Sequence, residues 1–174
     1  GYGAVLRSSL VFGSRTSYTG AVQKGGGVRL MPGGLIENCT IARNYSSSIH
    51  GGVYMAGGAI TNSIIVDNAA AGAPNDVSYS DWIVFSCSPD LTNGAGNITN
   101  YPVFAEPGSG YGTNALPSSC RLVMNVSPCL DKGTNLEWQA GALDLDGKTR
   151  CYRGYVDMGA YELHASPGTI MTIR

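Results

Sequence analysis

The sequence predicts an all-β fold, a right-handed parallel β-helix (a solenoid of short strands) with an irregular C-terminal capping segment. Three observations carry the prediction. Short apolar strands recur at intervals suited to one coil of a solenoid. Asparagine and glycine return at matching points of each recurrence. No stretch shows sustained i, i+3, i+4, i+7 apolar spacing, and Gly, Ser, Thr and Asn are too dense for helix.

The first recurrence aligns Leu6-Arg7-Ser8-Ser9-Leu10-Val11, Ile36-Glu37-Asn38-Cys39-Thr40-Ile41 and Ile60-Thr61-Asn62-Ser63-Ile64-Ile65 without gaps, with starts 30 and 24 residues apart. Asn44 and Asn68 follow the last two segments at the same distance. A second recurrence, offset by 25 residues, matches Gly26-Gly27-Val28-Arg29-Leu30-Met31 with Gly51-Gly52-Val53-Tyr54-Met55-Ala56. The glycine pairs Gly33-Gly34 and Gly57-Gly58 come after it.

Within a repeat, Ile36, Cys39 and Ile41 read as inward-facing, as do Ile60, Ser63 and Ile65. A step of two is the strand period, so the step of three before it requires a bend. Asn38 and Asn62 stand at that bend, where asparagine tolerates the left-handed backbone region. Stacking would set Asn38 over Asn62, with their amides forming a ladder along the axis. A further coil is expected at Trp82-Ile83-Val84-Phe85-Ser86-Cys87, after a loop over residues 69–80. The coils are assigned to residues 1–100 and the closing segment to 101–174. An antiparallel sandwich is the alternative fold, but Asn93-Gly94 is the only Asn-Gly hairpin signal.

Composition narrows the class. The chain has 174 residues, 43% apolar but only 13% charged, with 25 glycines and a net charge of −1. Such polar, uncharged sheet surfaces suit a secreted or cell-surface protein. There is no basic stripe for phosphate, so no nucleic-acid partner is expected. No apolar run reaches the ~20 residues of a membrane-spanning segment. The chain opens at Gly1-Tyr2-Gly3-Ala4 with no signal peptide, which reads as a fragment or a processed chain. Five cysteines, Cys39, Cys87, Cys120, Cys129 and Cys151, leave at least one unpaired within the chain. Cys39 aligns with Ser9 and Ser63 and reads as a small inward residue. Cys120 and Cys129 are the candidate disulfide.

From about Tyr101 the repeat is lost, and Pro102, Pro107, Pro117 and Pro128 punctuate the chain. A solenoid end needs cover, and this segment is placed to supply it. It contains Ser127-Pro128-Cys129-Leu130-Asp131-Lys132-Gly133-Thr134-Asn135, then Asp144-Leu145-Asp146-Gly147-Lys148-Thr149-Arg150, then Val156-Asp157-Met158-Gly159-Ala160-Tyr161-Glu162. This succession resembles the end of large secreted bacterial proteins of the pectate-lyase-like superfamily, those carrying a choice-of-anchor domain in particular. The Asn38-Cys39-Thr40-Ile41 coil resembles their repeats. The resemblance implies a structural role for the tail, within a superfamily that also contains polysaccharide lyases and glycoside hydrolases. Such proteins usually continue to an anchoring signal, and none is visible in Ile170-Met171-Thr172-Ile173-Arg174.

No catalytic residue set can be assigned from the residues. Asp144 and Asp146 with Gly147 resemble part of a calcium loop, making calcium the one candidate cofactor; an aspartate turn held by its own backbone is the alternative. Asp157 and Glu162 form a carboxylate pair for glycoside chemistry, or tie Arg150 or Arg153 into the closure. Lys24, Arg29, Arg43, His50 and Asp67 are the groups available to a lyase on the coils, but Arg29 aligns with Tyr54 and builds no charged row. Tyr2, Tyr18, Tyr45, Tyr54, Tyr79 and Trp82 are candidates for stacking on sugar rings. Asn38, Asn44, Asn97 and Asn125 fit the glycosylation pattern, although Asn38 reads as a buried bend residue.

The leading expectation is a non-catalytic, extracellular structural or adhesive module of a larger surface or fibre-forming protein. Its partners would be other copies of itself, further coils, or polysaccharide. The alternatives are a fragment of a lyase or hydrolase acting on acidic polysaccharide, and a carbohydrate-binding module. Convergence of Arg29, Arg43, His50 and Asp67 on one groove would favour the enzyme.

Overall fold

A computed structural model describes residues 3–17, 24–78, 81–116 and 119–164. Tyr2, Tyr18, Tyr79, Pro117 and the final stretch from Ile170 lie outside the described residues. The chain is all-β, with two short 3₁₀ turns at Gly112–Asn114 and Glu137–Gln139.

The first repeat holds β1 (Val5–Arg7), β2 (Leu10–Phe12), β3 (Arg15–Thr16) and β4 (Val28–Leu30). The second holds β5 (Leu35–Glu37), β6 (Thr40–Ala42), β7 (Tyr45–Ser46) and β8 (Val53–Met55). The third holds β9 (Ala59–Thr61), β10 (Ile64–Val66), β11 (Ala69–Ala70) and β12 (Ala73–Pro74), and β13 (Ile83–Val84) begins a partial fourth. Each of the three full repeats visits the first three sheets in the same order, and the first two go on to the fourth. The sheets run β1-β5-β9-β13, β2-β6-β10, β3-β7-β11-β12 and β4-β8. Every strand pair is parallel except β11 with β12, where the chain doubles back.

The register is the one the aligned segments demand. Ile36 pairs with Leu6 and Ile60, and Ile41 with Val11 and Ile65. Like sits over like, so each inward side chain packs on its equivalent. The inner core holds Ile36, Cys39, Ile41, Val53, Ile60, Ile65 and Ile83, with Leu6, Val11 and Val28 packed against it. Burial pushes the Cys39 thiol up to about 11.

The bends follow the sequence too. Asn38 and Asn62 stand at φ 50° and 52°, in register with Ser8 at 42° and Phe85 at 47°. A second left-handed column, Gly13, Arg43 and Asp67, turns each repeat from the second sheet into the third. Asn62 Nδ2 donates to Asn38 Oδ1 at 3.3 Å.

A longer ladder runs beside it. The Ser14 N–H donates to Asn44 Oδ1, and the Asn44 N–H and Nδ2 both donate to Asn68 Oδ1, each at 2.9 Å. The Asn68 N–H and Nδ2 donate in turn to Asp76 Oδ1 at 2.8 and 2.9 Å. Burial lifts the Asp76 carboxyl to about 7, against the pull of its Asn68 hydrogen bonds.

The closing segment departs from the sequence reading, which placed it over the end of the stack. Its described residues lie along the outer flank of the second sheet. There Phe104, Cys120, Leu122, Cys129 and Met158 join Ala42, Ile64, Val66 and Cys87 in a second core. The reason is in the strands: Leu10, Phe12, Ala42, Ile64 and Val66 are apolar on the outward face too, and that face needs cover. Gly159 shows how close the approach is. A Cβ there would lie 2.8 Å from the Ile64 and Thr40 side chains, and its φ is 96°. At the far end of the inner core it is Leu91, before the closing segment begins, that is 1% exposed within the core. Asp90 beside it accepts the Asp76 and Val77 N–H groups at 2.7 and 3.1 Å.

No disulfide joins any of the five cysteines, including Cys120 and Cys129, for which the sequence suggested one. The Cys87 thiol lies beside that of Cys129 and donates to the Asn100 carbonyl at 3.2 Å. This contact and burial push the Cys87 thiol far up.

Candidate functional site

Three places gather polar side chains. The first is the closing motif. Arg150 is fully buried and donates to Glu162 Oε1 at 2.7 Å, the Gly159 carbonyl at 2.9 Å, Ser8 Oγ at 3.1 Å and the Asn38 carbonyl at 3.4 Å. One guanidinium thus joins the first and second repeats to the flank segment. Asp157 accepts the Asp131 and Leu163 N–H groups, both at 2.7 Å, and its own N–H donates to both Glu162 oxygens. Burial lifts Glu162 to about 8, with the Asp157 charge adding to the rise and Arg150 opposing it. Burial also raises Asp157.

Asp157 and Glu162 are therefore brought together, but with a backbone N–H between them rather than a sugar. Glu162 is 3% exposed. A glycosidase pair has to flank its substrate across ~5–9.5 Å of accessible space. The sequence reading that tied Arg150 into the closure matches this geometry.

Asp144 is an aspartate turn. Its Oδ1 accepts the Asp146 and Lys148 N–H groups, both at 2.8 Å, and its Oδ2 accepts the Glu162 N–H at 2.7 Å. Asp146 turns away to Arg121, which grips both its oxygens at 2.9 and 2.5 Å and lowers its pKa. Calcium at this loop would have to displace those donors. Among the described residues no group of three His, Cys, Asp or Glu side chains stands arranged for a metal.

The second place is the outer face of β4 and β8. Lys24 Nζ donates to the Tyr54 hydroxyl at 3.2 Å and lies 4.7 Å from its ring centroid; the Arg29 guanidinium lies at 5.8 Å. His50 stacks on the same ring at 5.6 Å and bonds Asn75 Oδ1 through Nδ1 at 3.1 Å. Arg43 and Asp67 do not join them. They pair at 2.9 Å on a different edge, where Arg43 also donates to the Pro107 and Gly110 carbonyls and Tyr101 donates to Asp67. Burial and that Asp67 bond raise the Tyr101 hydroxyl pKa.

The third place was not legible in the sequence. A cavity of about 480 Å³ opens in the flank segment, walled by Asn125, Asp131, Tyr152, Arg153 and Tyr155, with Asp157 on it. Tyr152 and Tyr155 face each other across a tight turn, exchanging both backbone hydrogen bonds at 2.9 and 3.0 Å. Arg153 and Gly154 make the turn at φ 54° and 87°, the left-handed pair of a type I′ hairpin. The His164 ring stacks on Tyr152 at 4.1 Å, and the Arg153 guanidinium sits 5.0 Å from the same ring.

Of the aromatics picked out from sequence, the described ones, Tyr45, Tyr54 and Trp82, do not assemble. Tyr45 carries the Arg15 guanidinium at 4.6 Å, and Trp82 stands 63% exposed by itself near Met55. Of the four glycosylation-pattern asparagines, Asn38 and Asn44 are fully buried, whereas Asn125 is exposed. Among the described residues no helix is long and apolar enough to cross a membrane. Comparison of the chain with protein-family models, with curated proteins and with solved structures returns no match.

Proposed function

We propose that this chain is part of a right-handed parallel β-helix serving a non-catalytic structural or adhesive role in an extracellular or cell-surface protein. Parallel register in the first, second and fourth sheets, with apolar residues stacked on apolar ones at the inward positions, supports the β-helix. Parallel crossovers are right-handed in nearly all sheets, which supports the hand. The closing motif supports kinship with pectate-lyase-like proteins that carry a choice-of-anchor tail. One observation carries the functional reading: Asp144, Asp157 and Glu162 are spent on hydrogen bonds inside the flank segment, and Arg150 ties that segment to Ser8 and Asn38 of the repeats. Among the described residues the strands of the first repeat pair on one side only, and Leu6, Val11 and Val28 are only partly buried there. A further repeat, from this chain's own protein or from a second copy, fits that edge in the same register.

The rival reading is a fragment of a lyase or hydrolase acting on acidic polysaccharide. The cations around Tyr54 favour it, since they would neutralise a uronate. It brings no carboxylate base there, because Asp67 stands on another edge with Arg43, and the His50 ring is engaged with Asn75 and Tyr54. The test is a cleavage screen on polygalacturonate and alginate, with sedimentation and electron microscopy of the same preparation. End-to-end assembly without cleavage supports the structural role, and turnover abolished by Lys24→Ala or His50→Ala would overturn it.

A further inference from the structure

We infer that the flank cavity between Asp131 and the Tyr152–Tyr155 turn is a binding site for a neutral saccharide of one or two rings.

Size is the first argument. About 480 Å³ lies within the range of small-ligand clefts. It is too small for a folded partner and suits one or two pyranose rings.

The walls are the second. Tyr152 and Tyr155 are directly opposite residues of a hairpin pair, so both rings project to the same side of the turn. Tyr152 is fixed by His164 and Arg153 and forms a stiff wall. Tyr155 is 59% exposed, far more than a core tyrosine. A ring held on a rigid turn offers its face to the C–H side of a sugar at little conformational cost.

The third argument is polar groups of both kinds around that ring. Asp131, Asn125 and Arg153 line the cavity and are exposed. Sugar hydroxyls both donate and accept, and this set offers acceptors and donors together. Asp131 is held in place because its N–H is bound by Asp157.

Charge selects among ligands. Asp131 exposes a carboxyl on this cavity against the one guanidinium of Arg153, while Asp157 is buried with its oxygens bound to backbone N–H groups. A uronate would find no net positive charge to pair with, so the ligand is neutral. An acyl chain is disfavoured because carboxyls would be left against hydrocarbon. The inference stands whether the chain belongs to a fibre or to a soluble protein, and it differs in place and in charge from the Tyr54 face.

The experiment is a backbone amide NMR titration of the full chain with cellobiose, maltose, lactose and chitobiose, with digalacturonate as the charged control. Saturable shifts confined to residues around 125, 131 and 152–155 with at least one neutral disaccharide are expected. Tyr155→Ala should weaken that binding about ten-fold or more, while Tyr155→Phe stays within about two-fold. Asp131→Asn, tolerated at a left-handed position, should weaken it about three-fold or more through the lost charged acceptor. Three results would overturn the inference. These are no saturable shift with any neutral disaccharide, shifts centred on Tyr54, or binding unaffected by both Tyr155→Ala and Asp131→Asn. Should Tyr155→Ala disturb the fold, the Asp131→Asn and Tyr155→Phe pair decides.

Discussion

The repeat stack and the flank segment bury comparable chemistry by opposite means. In the stack the buried asparagines recur from one repeat to the next. Asn44 hands its hydrogen bonds to Asn68, and Asn68 to Asp76, so one arrangement serves successive layers. In the flank segment nothing repeats. Arg150 alone joins four partners drawn from both regions. Periodicity spreads the load over many weak, equivalent contacts, whereas an irregular chain concentrates it on a few charged ones. Loss of a single residue should therefore be most severe where the structure is least regular.

The sharpest way to break that comparison is Arg150→Met. It leaves Glu162 and the Gly159 carbonyl buried without their donor, and about 3–5 kcal/mol of stability should be lost, read by urea unfolding. A loss no larger than that of a ladder residue would refute the contrast. In Asn68→Ala the Asn44 donors and the Ile41 and Val66 carbonyls lose their partner. The expected cost is about 1–3 kcal/mol in the same assay.

Asp76→Asn sharpens the comparison through pH. The folded-state pKa of Asp76 is raised from 3.8 to about 7 by burial. Its favourable contribution is full below about pH 4 and is lost as pH rises through about 7. The amide keeps an oxygen for Asn68 and carries no charge. The variant should match the parent near pH 4, melt higher than it at pH 8, and show a flatter melting profile between. A variant less stable at pH 8 would mean that the ladder needs a carboxylate at its end. The smallest effect is expected for Asp146→Asn. It weakens the solvent-exposed pair with Arg121, and should cost under about 1 kcal/mol, with the remainder screened by salt. Alkylation of the native protein should mark Cys151 alone, since the other four thiols are buried; a second adduct by mass spectrometry would show that the flank segment opens readily.

How much was legible divides along the same line. The aligned segments around Leu6, Ile36 and Ile60 specified the parallel register, and the step of three at Asn38 and Asn62 specified the left-handed bends. The shared Asn44 and Asn68 mark the longer ladder in the sequence, but their partners Ser14 and Asp76 carry no such mark. Mistakes came from features with no periodic mark. Phe12, Ile64 and Val66 form an outward apolar face that no spacing along the chain marks as needing cover, so the sequence alone points the closing segment to the end of the stack.

The sequence by itself determined the strand-and-bend grammar of the repeats and the class of the chain. Those properties are local and recur, so each copy testifies to the next. Only the tertiary structure decided where the last third of the chain packs, which residues Arg150 meets, and that Tyr152, Tyr155 and Asp131 share one cavity. Arg150 reaches Ser8 across 142 positions, and its link to Asn38 spans 112. Contacts that distant are made once, between unlike residues, and are selected by the shape of two surfaces rather than by any spacing along the chain.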